Sequence, residues 1–540
     1  MILAVKENRS SPAVWSQRGR ERAREPAPAG ALRAARRESL ARRRFDLLVV
    51  GGGIIGSGIA CEAARAGLSV ALVERDDFGS NTSSASSKLI HGGLRYLRLG
   101  DVRLVHEAHR ERLALGRIVA PQLVRAQPFL LPLYERGPYR PRTVRAGLVL
   151  YAALSGFRDG GARLVPPERA RALVPPLRAD GLRASGLYVD SQTNDSRLCL
   201  ANVRAAVEAG AVVLNYAEVV ELVSASGRLA GATVRDRLER NEFMLTTRAV
   251  VNAAGPWVDA VRRLEDPAVG TSVRLSKGAH VLLSLAQPWN AALTVPLDEV
   301  RVSFAVPWEG MLLLGTTDEP FEGRPDDVQA TEEDLRQIMA EASGALDDRF
   351  LRRERVRFAF AGVRVLPLGA GMTATARRET VLARGPRGLL TVAGGKLTTY
   401  RRIALSVLAE LRGELGLHRI DHRPRPLPGA ASPIAVAALL ARRYPALPTT
   451  VLDHLARLYG SLAAEVLEAG NEEPDLLKPL APGGPDLVAQ AVYAGVSEWA
   501  CTAEDVLRRR TTVTVRGLES PELKKRVGEI LTRAAALGAR

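Results

Sequence analysis

The sequence predicts an α/β fold in which a parallel sheet is interleaved with a second, antiparallel sheet and followed by a separate helical domain. Three observations lead to this prediction. A buried strand runs into a glycine-rich turn over residues 45–58, several short strands follow one another over 271–320, and residues 434–540 have a helical pattern rich in Ala and Leu. At 540 residues the chain is long enough for two or three domains.

The first strand ends at a turn with the spacing of a dinucleotide-binding site. Gly51, Gly53 and Gly56 stand at G-x-G-x-x-G spacing, and a helix and a second strand follow, ending at Glu74. The first glycine permits the tight turn, the second lets the backbone approach a pyrophosphate, and the third lets the helix pack closely on the strand. Glu74 is placed to accept hydrogen bonds from a ribose. We therefore expect a Rossmann-type domain that binds an adenine dinucleotide.

The remaining elements alternate between the two predicted sheets. In chain order they are a small polar loop at 80–88, a helix at 101–119, an inserted substrate-side region at 126–190, a helix at 197–209, hairpins at 227–248, a strand at 249–253, the second sheet at 271–320, and a strand at 388–393 that turns into a helix at 398–414. A proline-marked linker follows at 423–433. The predicted domains are a basic, disordered extension (1–44), the dinucleotide-binding domain with its interleaved substrate domain (45–425, the substrate side mainly 126–198 and 271–360) and a C-terminal helical domain (426–540).

Much of the formal net charge of +17 lies at the N-terminal end. Residues 1–44 carry twelve Lys or Arg side chains against four Glu. Such a segment could bind nucleic acid or anionic lipid, but it lacks interleaved aromatic residues and hydrophobic periodicity. We expect either a disordered extension without function or sequence upstream of the true start, so that the folded protein begins at Phe45. No apolar stretch follows the charges, and a secretory signal is not expected.

Cysteine usage and hydropathy limit the class of protein. Cys61, Cys199 and Cys501 are far apart and form no C-x-x-C pair, which suits a reducing cytoplasm and argues against a zinc site or a disulfide framework. No apolar run reaches 18 residues, so we expect no membrane-spanning helix. We expect no metal site.

Three glycine-marked strand ends favour FAD over a nicotinamide cofactor. They are the turn at 51–56, the sequence Asn-Ala-Ala-Gly at 252–255 and the sequence Gly-Gly-Lys at 394–396. Each of the two later glycine turns taken alone would be an ordinary turn between a strand and a helix. Because FAD lies extended, several loops must approach its pyrophosphate, ribityl chain and ring, and the combination therefore indicates a flavoprotein.

The loop after the second strand carries the most specific run of residues. Residues 82–96 read Thr-Ser-Ser-Ala-Ser-Ser-Lys-Leu-Ile-His-Gly-Gly-Leu-Arg-Tyr. With further motifs, this run closely resembles the FAD-dependent glycerol-3-phosphate dehydrogenases, from about residue 45 into the C-terminal domain. The further motifs are Gly-Pro-Trp at 255–257, Lys-Gly-Ala-His at 277–280, Gly-Thr-Thr-Asp at 315–318, Ala-Gly-Val-Arg at 361–364, Gly-Gly-Lys-Leu-Thr-Thr-Tyr at 394–400 and the stretch 498–511.

The resemblance implies a D-amino-acid-oxidase-like flavoprotein fold and the oxidation of sn-glycerol 3-phosphate to dihydroxyacetone phosphate. Hydride would pass from C2 of the substrate to N5 of FAD, and the electrons would pass to a membrane quinone. We expect a homodimer in the cytoplasm, attached peripherally to the inner face of the cytoplasmic membrane. Basic residues at 136–145 precede apolar residues at 146–154, a pattern compatible with an anionic lipid surface. A buried amphipathic helix with a charged edge explains this pattern equally well.

Matching motif to motif, the resemblance also assigns site residues. The predicted substrate contacts are Arg95, Tyr96, Thr317, Arg364, Arg377 and Lys396. Since Arg378 adjoins Arg377, a shift of one residue would exchange those two. The predicted FAD contacts are Gly51, Gly53, Ile54, Ile55, Gly56, Glu74, Thr82, Ser83, Ser86, Ser87, Lys88, Leu89, His91, Gly92, Ala254, Gly255, Trp257, Arg364, Gly395, Lys396, Leu397 and Thr398.

The expected chemistry needs cations for a phosphate and a base for a hydroxyl. Arginine offers a bidentate fork that matches phosphate oxygens, which supports the assignment of Arg364 beside Lys396 in the catalytic centre. Hydride removal is easier when the hydroxyl proton leaves to a base, for which His280 and His91 are the candidates. A histidine on a strand is often structural. Because His91 adjoins glycines expected under the flavin, we expect it to position the cofactor, and we prefer His280 as the base.

Three other functions compete with this prediction. An oxidase of the same fold would pass electrons to oxygen, and the sequence does not separate it from a dehydrogenase. An amine or 2-hydroxyacid oxidase would need one carboxylate-binding arginine, whereas several cations here suit a dianionic phosphate. A nucleic-acid-binding protein would explain the isoelectric point of about 10.3 but not the three glycine-marked strand ends, so we expect no nucleic acid partner.

Overall fold

The computed structural model of the chain describes residues 30–94, 97, 100–158, 161–299, 301–368 and 380–537. Within these residues the strands belong to two sheets. The strands are β1 (Arg44–Val50), β2 (Val70–Val73), β3 (Leu89–Ile90), β4 (Val124–Tyr134), β5 (Arg163–Val165), β6 (Leu182–Thr193), β7 (Val212–Leu214), β8 (Ala217–Ala225), β9 (Arg228–Asp236), β10 (Glu242–Asn252), β11 (Val273–Ser284), β12 (Ala292–Pro296), β13 (Val302–Trp308), β14 (Met311–Gly315), β15 (Glu319–Phe321), β16 (Val356–Pro367), β17 (Val381–Arg384) and β18 (Leu390–Ala393).

The helices lie between the strands and, in the last hundred residues, follow one another without strands. They are α1 (Ala31–Arg42), α2 (Ile54–Arg65), α3 (Val102–Ala114), α4 (Pro141–Leu154), α5 (Pro167–Leu173), α6 (Asp195–Glu208), α7 (Val258–Glu265), α8 (Glu332–Ser343), α9 (Tyr400–Glu410), α10 (Arg412–Leu415), α11 (Pro433–Arg443), α12 (Thr449–Tyr459), α13 (Ala463–Glu472), α14 (Val488–Ser497) and α15 (Pro521–Leu537). Among the helices of the described residues, none is long and apolar enough to cross a bilayer.

The first sheet has the predicted parallel centre. Its strands β18, β10, β1, β2 and β7 are neighbours in this order and run parallel, with Val50 opposite both Val73 and Asn252. The side chains of β2 and most of those of β1 are buried, as expected for a parallel sheet covered on both faces. The structure differs from the prediction at β10. The last strand of the predicted hairpins and the predicted strand at 249–253 form one continuous strand. It pairs with β9 at its start and with β1 and β18 further along.

The second sheet is mostly antiparallel and draws strands from two parts of the chain. Strands β11 to β16 come from the predicted region and its continuation, while β3 to β6 come from the inserted region between β2 and α6. Strand β12 joins the two groups, since Ala292 and Leu293 pair in parallel with Phe129 and Leu130 of β4. The predicted substrate-side region therefore supplies strands to the same sheet that carries the predicted base.

Helix α1 corrects the expectation that the folded protein begins at Phe45. Arg33 is buried, and its Nη1 donates to the carbonyl oxygen of Asn215 at 2.8 Å while its Nη2 donates to Asp236 at 3.0 Å. Leu40 is also buried. The partner carboxylate lies 203 residues along the chain, so the local pattern of charges could not reveal it. The expectation of disorder for residues 1–29 falls outside the described residues.

The helices after residue 430 enclose apolar clusters of their own. One cluster surrounds Leu455 on α12, and another surrounds Val506 in a π-helical turn between α14 and α15. These helices also reach back to the first sheet, because Trp499 packs against the apolar cluster that contains the β1 and α2 residues. The C-terminal helices thus lie against the domain that carries the glycine-rich turn.

Candidate active site

A cavity of about 1350 Å³ lies where residues of the two sheets meet. Its volume exceeds the roughly 300–1000 Å³ of an ordinary small-molecule pocket, so it has room for an extended dinucleotide and a small substrate. Most of the predicted cofactor residues line it. They are Gly51, Gly53, Ile54, Ile55, Glu74, Thr82, Ser83, Ser86, Ser87, Leu89, His91, Ala254, Gly255, Trp257, Arg364, Gly395, Lys396, Leu397 and Thr398.

The turn after β1 requires its glycines for steric reasons. Gly51 has a φ of +106°, and a Cβ at Gly56 would lie 1.8 Å from the carbonyl oxygen of Gly51. A Cβ at Gly53 would lie 3.0 Å from Oγ of Ser83, the atom that accepts a hydrogen bond of 2.9 Å from the amide of Ile54. Gly56 therefore serves close packing and does not itself line the cavity. The arrangement leaves the N-terminal end of α2 directed at the cavity, where an anion is favoured.

Glu74 connects the end of β2 to this turn. Its carboxylate accepts hydrogen bonds from the amide of Gly52 at 2.6 Å and from the amide of Asp76 at 2.8 Å. Burial, and to a smaller degree the charge of Asp76, raises the pKa of Glu74 to about 7. The side chain therefore lies where the sequence predicted a ribose acceptor, and it also holds the backbone of the glycine turn.

The small polar loop is tied to the second sheet and to helix α6 by its hydroxyl groups. Thr82 donates to the carbonyl oxygen of Val363 at 2.8 Å, and Ser86 donates to Asp195 at 2.7 Å. Lys88 was predicted to contact FAD, but its Nζ lies 2.7 Å from Asp195 and its side chain is buried away from the cavity. The carboxylate of Asp195 retains the buried ammonium group, so the side chain of Lys88 does not line the cavity, and the contact of Lys88 with FAD stays a prediction.

Gly92 also has a different place from the one predicted. It does not line the cavity, and a Cβ there would lie 2.5 Å from both Cε1 of His109 and the hydroxyl oxygen of Tyr151. Its amide donates to Asp190 at 2.9 Å. Glycine at this position therefore permits packing against two rings, while the following Gly93, with a φ of +80°, is the one that reaches the cavity.

The third glycine turn, at residues 394–396, also lines the cavity. Gly394 and Gly395 have φ values of +81° and +110°, and Thr398 accepts a hydrogen bond of 3.2 Å from the amide of His91. This bond connects the segment before α9 to the loop that follows β3. Lys396 and Leu397, which lie between Gly395 and Thr398 in the sequence, line the cavity too.

His280 lies in the cavity wall on β11. Its Nε2 is 2.9 Å from Oγ of Ser87, its ring stacks on Phe360 at 5.0 Å, and its Nδ1 has no hydrogen-bond partner among the described residues. Burial, and then the charges of Arg364 and Lys88, hold the pKa of His280 well below its ordinary 6.5. The imidazole is consequently neutral at physiological pH, which is the protonation state that a base requires.

Arg364 lies close by on β16, with its guanidinium fixed by several acceptors. It donates to Oγ1 of Thr316 at 2.6 Å, to Asp318 at 3.2 Å, and to the carbonyl oxygens of Thr317 and Lys277 at 3.1 and 3.2 Å. These bonds hold a positive charge at a defined position in the cavity wall.

Thr317 is not in the cavity, although the sequence predicted a substrate contact. It is fully buried, and its hydroxyl accepts a hydrogen bond of 2.9 Å from the amide of Ala279. The alternation of a strand end explains the error, because the neighbours Thr316 and Asp318 face the cavity instead. The predicted substrate residues Arg95, Tyr96 and Arg377, with the alternative Arg378, lie outside the described residues.

Sequence reasoning missed residues at several points of the cavity. The guanidinium of Arg75 lies 4.2 Å from the ring centroid of Trp257 and pairs with Asp326. The sequence did contain an indication that Arg75 lies at the site, since it directly follows the predicted ribose acceptor Glu74. Other unpredicted lining residues are Asp190, Val219, Val261, Leu264 and Val363. Of these, only Val363 belongs to a recognised motif.

Comparisons with known proteins agree with this geometry. Residues 46–401 match the family model described as FAD dependent oxidoreductase, and residues 423–537 match the C-terminal domain of alpha-glycerophosphate oxidase. The chain is 34% identical to a glycerol-3-phosphate dehydrogenase of Synechocystis sp., over 87% of this chain and 89% of that protein. It is also 34% identical to glycerol-3-phosphate dehydrogenase 2 of Mycobacterium tuberculosis, over 94% and 89%.

Solved structures show the same fold. The glycerol-3-phosphate dehydrogenase of Bacillus halodurans, solved with FAD, matches with a TM-score of 0.73 and 27% identity, over 93% of this chain and 97% of that one. The L-alpha-glycerophosphate oxidase of Mycoplasma pneumoniae matches with a TM-score of 0.55 and 16% identity, over 72% and 99%, a likeness of fold alone.

FAD is the cofactor that these comparisons assign, and the cavity fits it. Gly51 and Gly53 line the cavity at the start of α2, where a pyrophosphate needs close approach to the backbone. The buried acceptor Glu74 lies on one side of that turn. The turn at Gly395 lines the same cavity as His280 and Arg364.

Proposed function

Because this chain belongs to the FAD-dependent glycerol-3-phosphate dehydrogenases, we propose that it oxidises sn-glycerol 3-phosphate to dihydroxyacetone phosphate. The observation that carries the proposal is one cavity that joins the glycine turn of β1 to a neutral, buried His280 and to Arg364. Bound FAD supplies the acceptor for the hydride that leaves C2 of the substrate.

The cofactor contacts follow from the lining residues. Glu74 would accept hydrogen bonds from the adenosine ribose, and the amides at the start of α2 would face the pyrophosphate. Ser83, whose Oγ already accepts from Ile54, would donate its own hydroxyl proton towards the phosphate oxygens. Gly395 and Thr398 would lie along the ribityl chain and the ring.

The substrate phosphate needs cations at the flavin end. Arg364 and Lys396 line the cavity there. The fork of Arg364 is already bonded to Thr316 and Asp318, so we assign it to holding positive potential beside the carbinol. Contact of Arg377, or its neighbour Arg378, with the phosphate and contact of Arg95 and Tyr96 with the substrate stay predictions from the sequence motifs.

His280 would take the proton of the C2 hydroxyl. Its neutral state leaves a ring nitrogen able to accept, and the hydrogen bond to Ser87 fixes the plane of the ring. Arg364, whose charge is partly offset by Asp318, would stabilise the developing alkoxide electrostatically. Proton and hydride would thus leave the same carbinol, the proton to His280 and the hydride to FAD.

The visible spectrum of the purified protein tests cofactor and substrate together. We expect flavin bands that bleach when sn-glycerol 3-phosphate is added under anaerobic conditions. Glycine, sarcosine and D-amino acids should leave the bands unchanged. Bleaching by one of these amines, and not by the phosphate ester, would overturn the proposal in favour of an amine oxidase.

A membrane quinone is the proposed electron acceptor, and α4 supports this assignment. Val149 and Leu150 on this helix are 47% and 46% exposed, and Arg142 and Arg145 are exposed on its first turns. Leu150 also lines the cavity, so an acceptor in an anionic bilayer could approach the flavin end from this side. Attachment to the inner face of the cytoplasmic membrane belongs to the same proposal, and a homodimer stays a prediction that sedimentation would test.

An oxidase is the second candidate, favoured by the match of residues 423–537 to the C-terminal domain of alpha-glycerophosphate oxidase. The two functions differ in how fast oxygen reoxidises the reduced flavin. Substrate-reduced protein should be mixed with air-saturated buffer in one experiment and with a soluble quinone in another. Fast reoxidation by the quinone and slow peroxide formation support the dehydrogenase, whereas fast peroxide formation supports the oxidase.

A further inference from the structure

The C-terminal helical domain inserts two arginines against the loop that follows Glu74. The carboxylate of Asp77 in this loop is 1% exposed and pairs with both Arg509 and Arg510, the latter donating from Nη2 at 2.8 Å. Arg510 is itself fully buried. Burial alone would raise the pKa of Asp77, but the charges of Arg510 and Arg509 hold it below its ordinary value. The carboxylate is therefore ionised and depends on the C-terminal domain for its counter-charges.

The arginines are held in place by their own domain and by the first sheet. Arg509 donates to Asp505 at 2.6 Å, and Asp505 also accepts a hydrogen bond of 2.7 Å from Tyr216, which follows β7. Arg510 donates to the carbonyl oxygen of Glu498 at 2.6 Å. These buried bonds help to hold both guanidinium groups against Asp77.

The other side of the same loop touches the glycine turn. A Cβ at Gly52 would lie 2.5 Å from Cδ1 of Phe78, and the amide of Gly79 donates to the carbonyl oxygen of Gly52 at 3.0 Å. Phe78 in turn packs edge-on against Trp499 of the C-terminal domain, with ring centroids 5.7 Å apart. The loop thus lies between the C-terminal domain and the backbone that Glu74 also holds.

We propose that Arg509, Arg510 and Trp499 are positioning residues for FAD, which fix the loop 74–79 and through it Glu74 and Gly52. The inference rests on the assignment of Glu74 and the glycine turn to the adenosine and pyrophosphate of the cofactor. None of the three residues touches the cofactor, and the effect passes through Asp77 and Phe78. Because coupling between two sites is reciprocal, bound FAD also stabilises the docking of the C-terminal domain.

Binding to the apoprotein of the full chain tests this inference. The dissociation constants of FAD and of ADP, which carries the ribose and pyrophosphate without the flavin, are measured for wild type and for Arg509→Gln. We expect both constants to rise by the same factor, about tenfold, as for a coupling of ordinary size. Amides of residues 76–79 should exchange hydrogen faster in the variant, and FAD should slow exchange at residues 499–510 in the wild type.

Glu498→Gln is the matched control. It weakens the buried side-chain pair between Glu498 and Arg197 at 2.7 Å, which joins the same domain to α6, and keeps the main-chain carbonyl that accepts from Arg510. We expect a similar loss of thermal stability with unchanged FAD and ADP affinity. If Arg509→Gln does not fold, Trp499→Phe gives the same comparison through the contact with Phe78.

Two results would overturn the inference. One is unchanged FAD and ADP affinity in folded Arg509→Gln or Trp499→Phe. The other is an equal loss of affinity in Glu498→Gln, which would reflect stability alone. Failure of the underlying assignment looks different, because Glu74→Ala would then bind FAD and ADP as the wild type does.

Discussion

His280 and Ser87 are joined by a hydrogen bond of 2.9 Å between Nε2 and Oγ. One residue belongs to the antiparallel sheet and the other to the small polar loop that follows β2, so the proposed base is oriented by the loop that lines the cofactor cavity. We therefore expect binding of FAD and alignment of the proposed base to be linked through this contact.

Replacing His280 by Gln should slow flavin reduction by about 100-fold or more, because general bases contribute about 10²–10⁴ to rate. Since the pKa of His280 is held well below 6.5, the wild-type rate should not depend on this group above neutral pH and should fall in acid, where the imidazole becomes protonated. Anaerobic stopped-flow reduction across pH measures both effects. A variant whose rate and pH profile match the wild type would remove His280 as the base.

Ser87→Ala is the control for this experiment. It keeps the imidazole and removes only the hydrogen bond that orients it. We expect a smaller fall in the reduction rate, with the acid limb of the pH profile retained.

Arg364→Lys should lower kcat/KM for sn-glycerol 3-phosphate by about 100-fold, because lysine keeps the charge but cannot reproduce the planar fork bonded to Thr316 and Asp318. FAD content should stay at one per chain. The exposed Arg353, paired with Glu332 at 2.6 Å, provides Arg353→Lys as a neutral comparison. A loss of FAD without a change in kcat/KM would assign Arg364 to the cofactor instead.

Glu74 should make the stability of the apoprotein depend on pH. Its pKa of about 7 in the folded chain exceeds the ordinary 4.5, so its contribution is fully present below about 4.5 and is lost as pH rises through about 7. The loss should approach 3 kcal/mol, about 1.36 kcal/mol for each pH unit of the difference. Thermal unfolding of Glu74→Gln should lack this component, whereas Glu221→Gln, at an exposed position on β8, should keep it.

Two N-terminal truncations, of residues 1–29 and of residues 1–44, should distinguish the contribution of residues 1–29 to stability from that of helix α1. Removing residues 1–44 should lower the free energy of unfolding, because Asp236 then loses its buried partner Arg33. Arg33→Ala alone should cost about 3 kcal/mol, as expected when one member of a buried ion pair is removed. Arg42→Ala, at an exposed pair with Glu38, should change stability by less than about 0.5 kcal/mol. Equal stability of the chain without residues 1–29 and the chain without residues 1–44 would contradict a structural role for α1.

Flotation with liposomes that contain anionic lipid tests α4 as the membrane-facing helix. Val149→Asp should abolish flotation and leave reduction of the flavin by substrate intact, because this side chain is 47% exposed and does not line the cavity. Ile434→Asp, at an exposed apolar position on α11, should leave flotation unchanged. Equal flotation of all three proteins would exclude α4 as the attachment surface.

The sequence by itself determined the parallel sheet, the glycine turn and the place of Glu74. These features depend on neighbours within about thirty residues, where a buried strand, a steric need for glycine and the following helix leave a readable pattern. The motifs at 277–280, 361–364 and 394–400 likewise led to His280, Arg364 and Lys396, all of which line the cavity.

Only the tertiary structure decided the surroundings of four residues, Lys88, Gly92, Thr317 and Arg33. Each is fixed by a partner distant in sequence, such as Asp195 for Lys88 and Asp236 for Arg33. A buried charge or a close approach to a ring is satisfied by whichever group the fold brings near, and that group leaves no trace in the local pattern. For the same reason, the contact of Arg509 and Arg510 with Asp77, more than 400 residues away, emerged only from the folded chain.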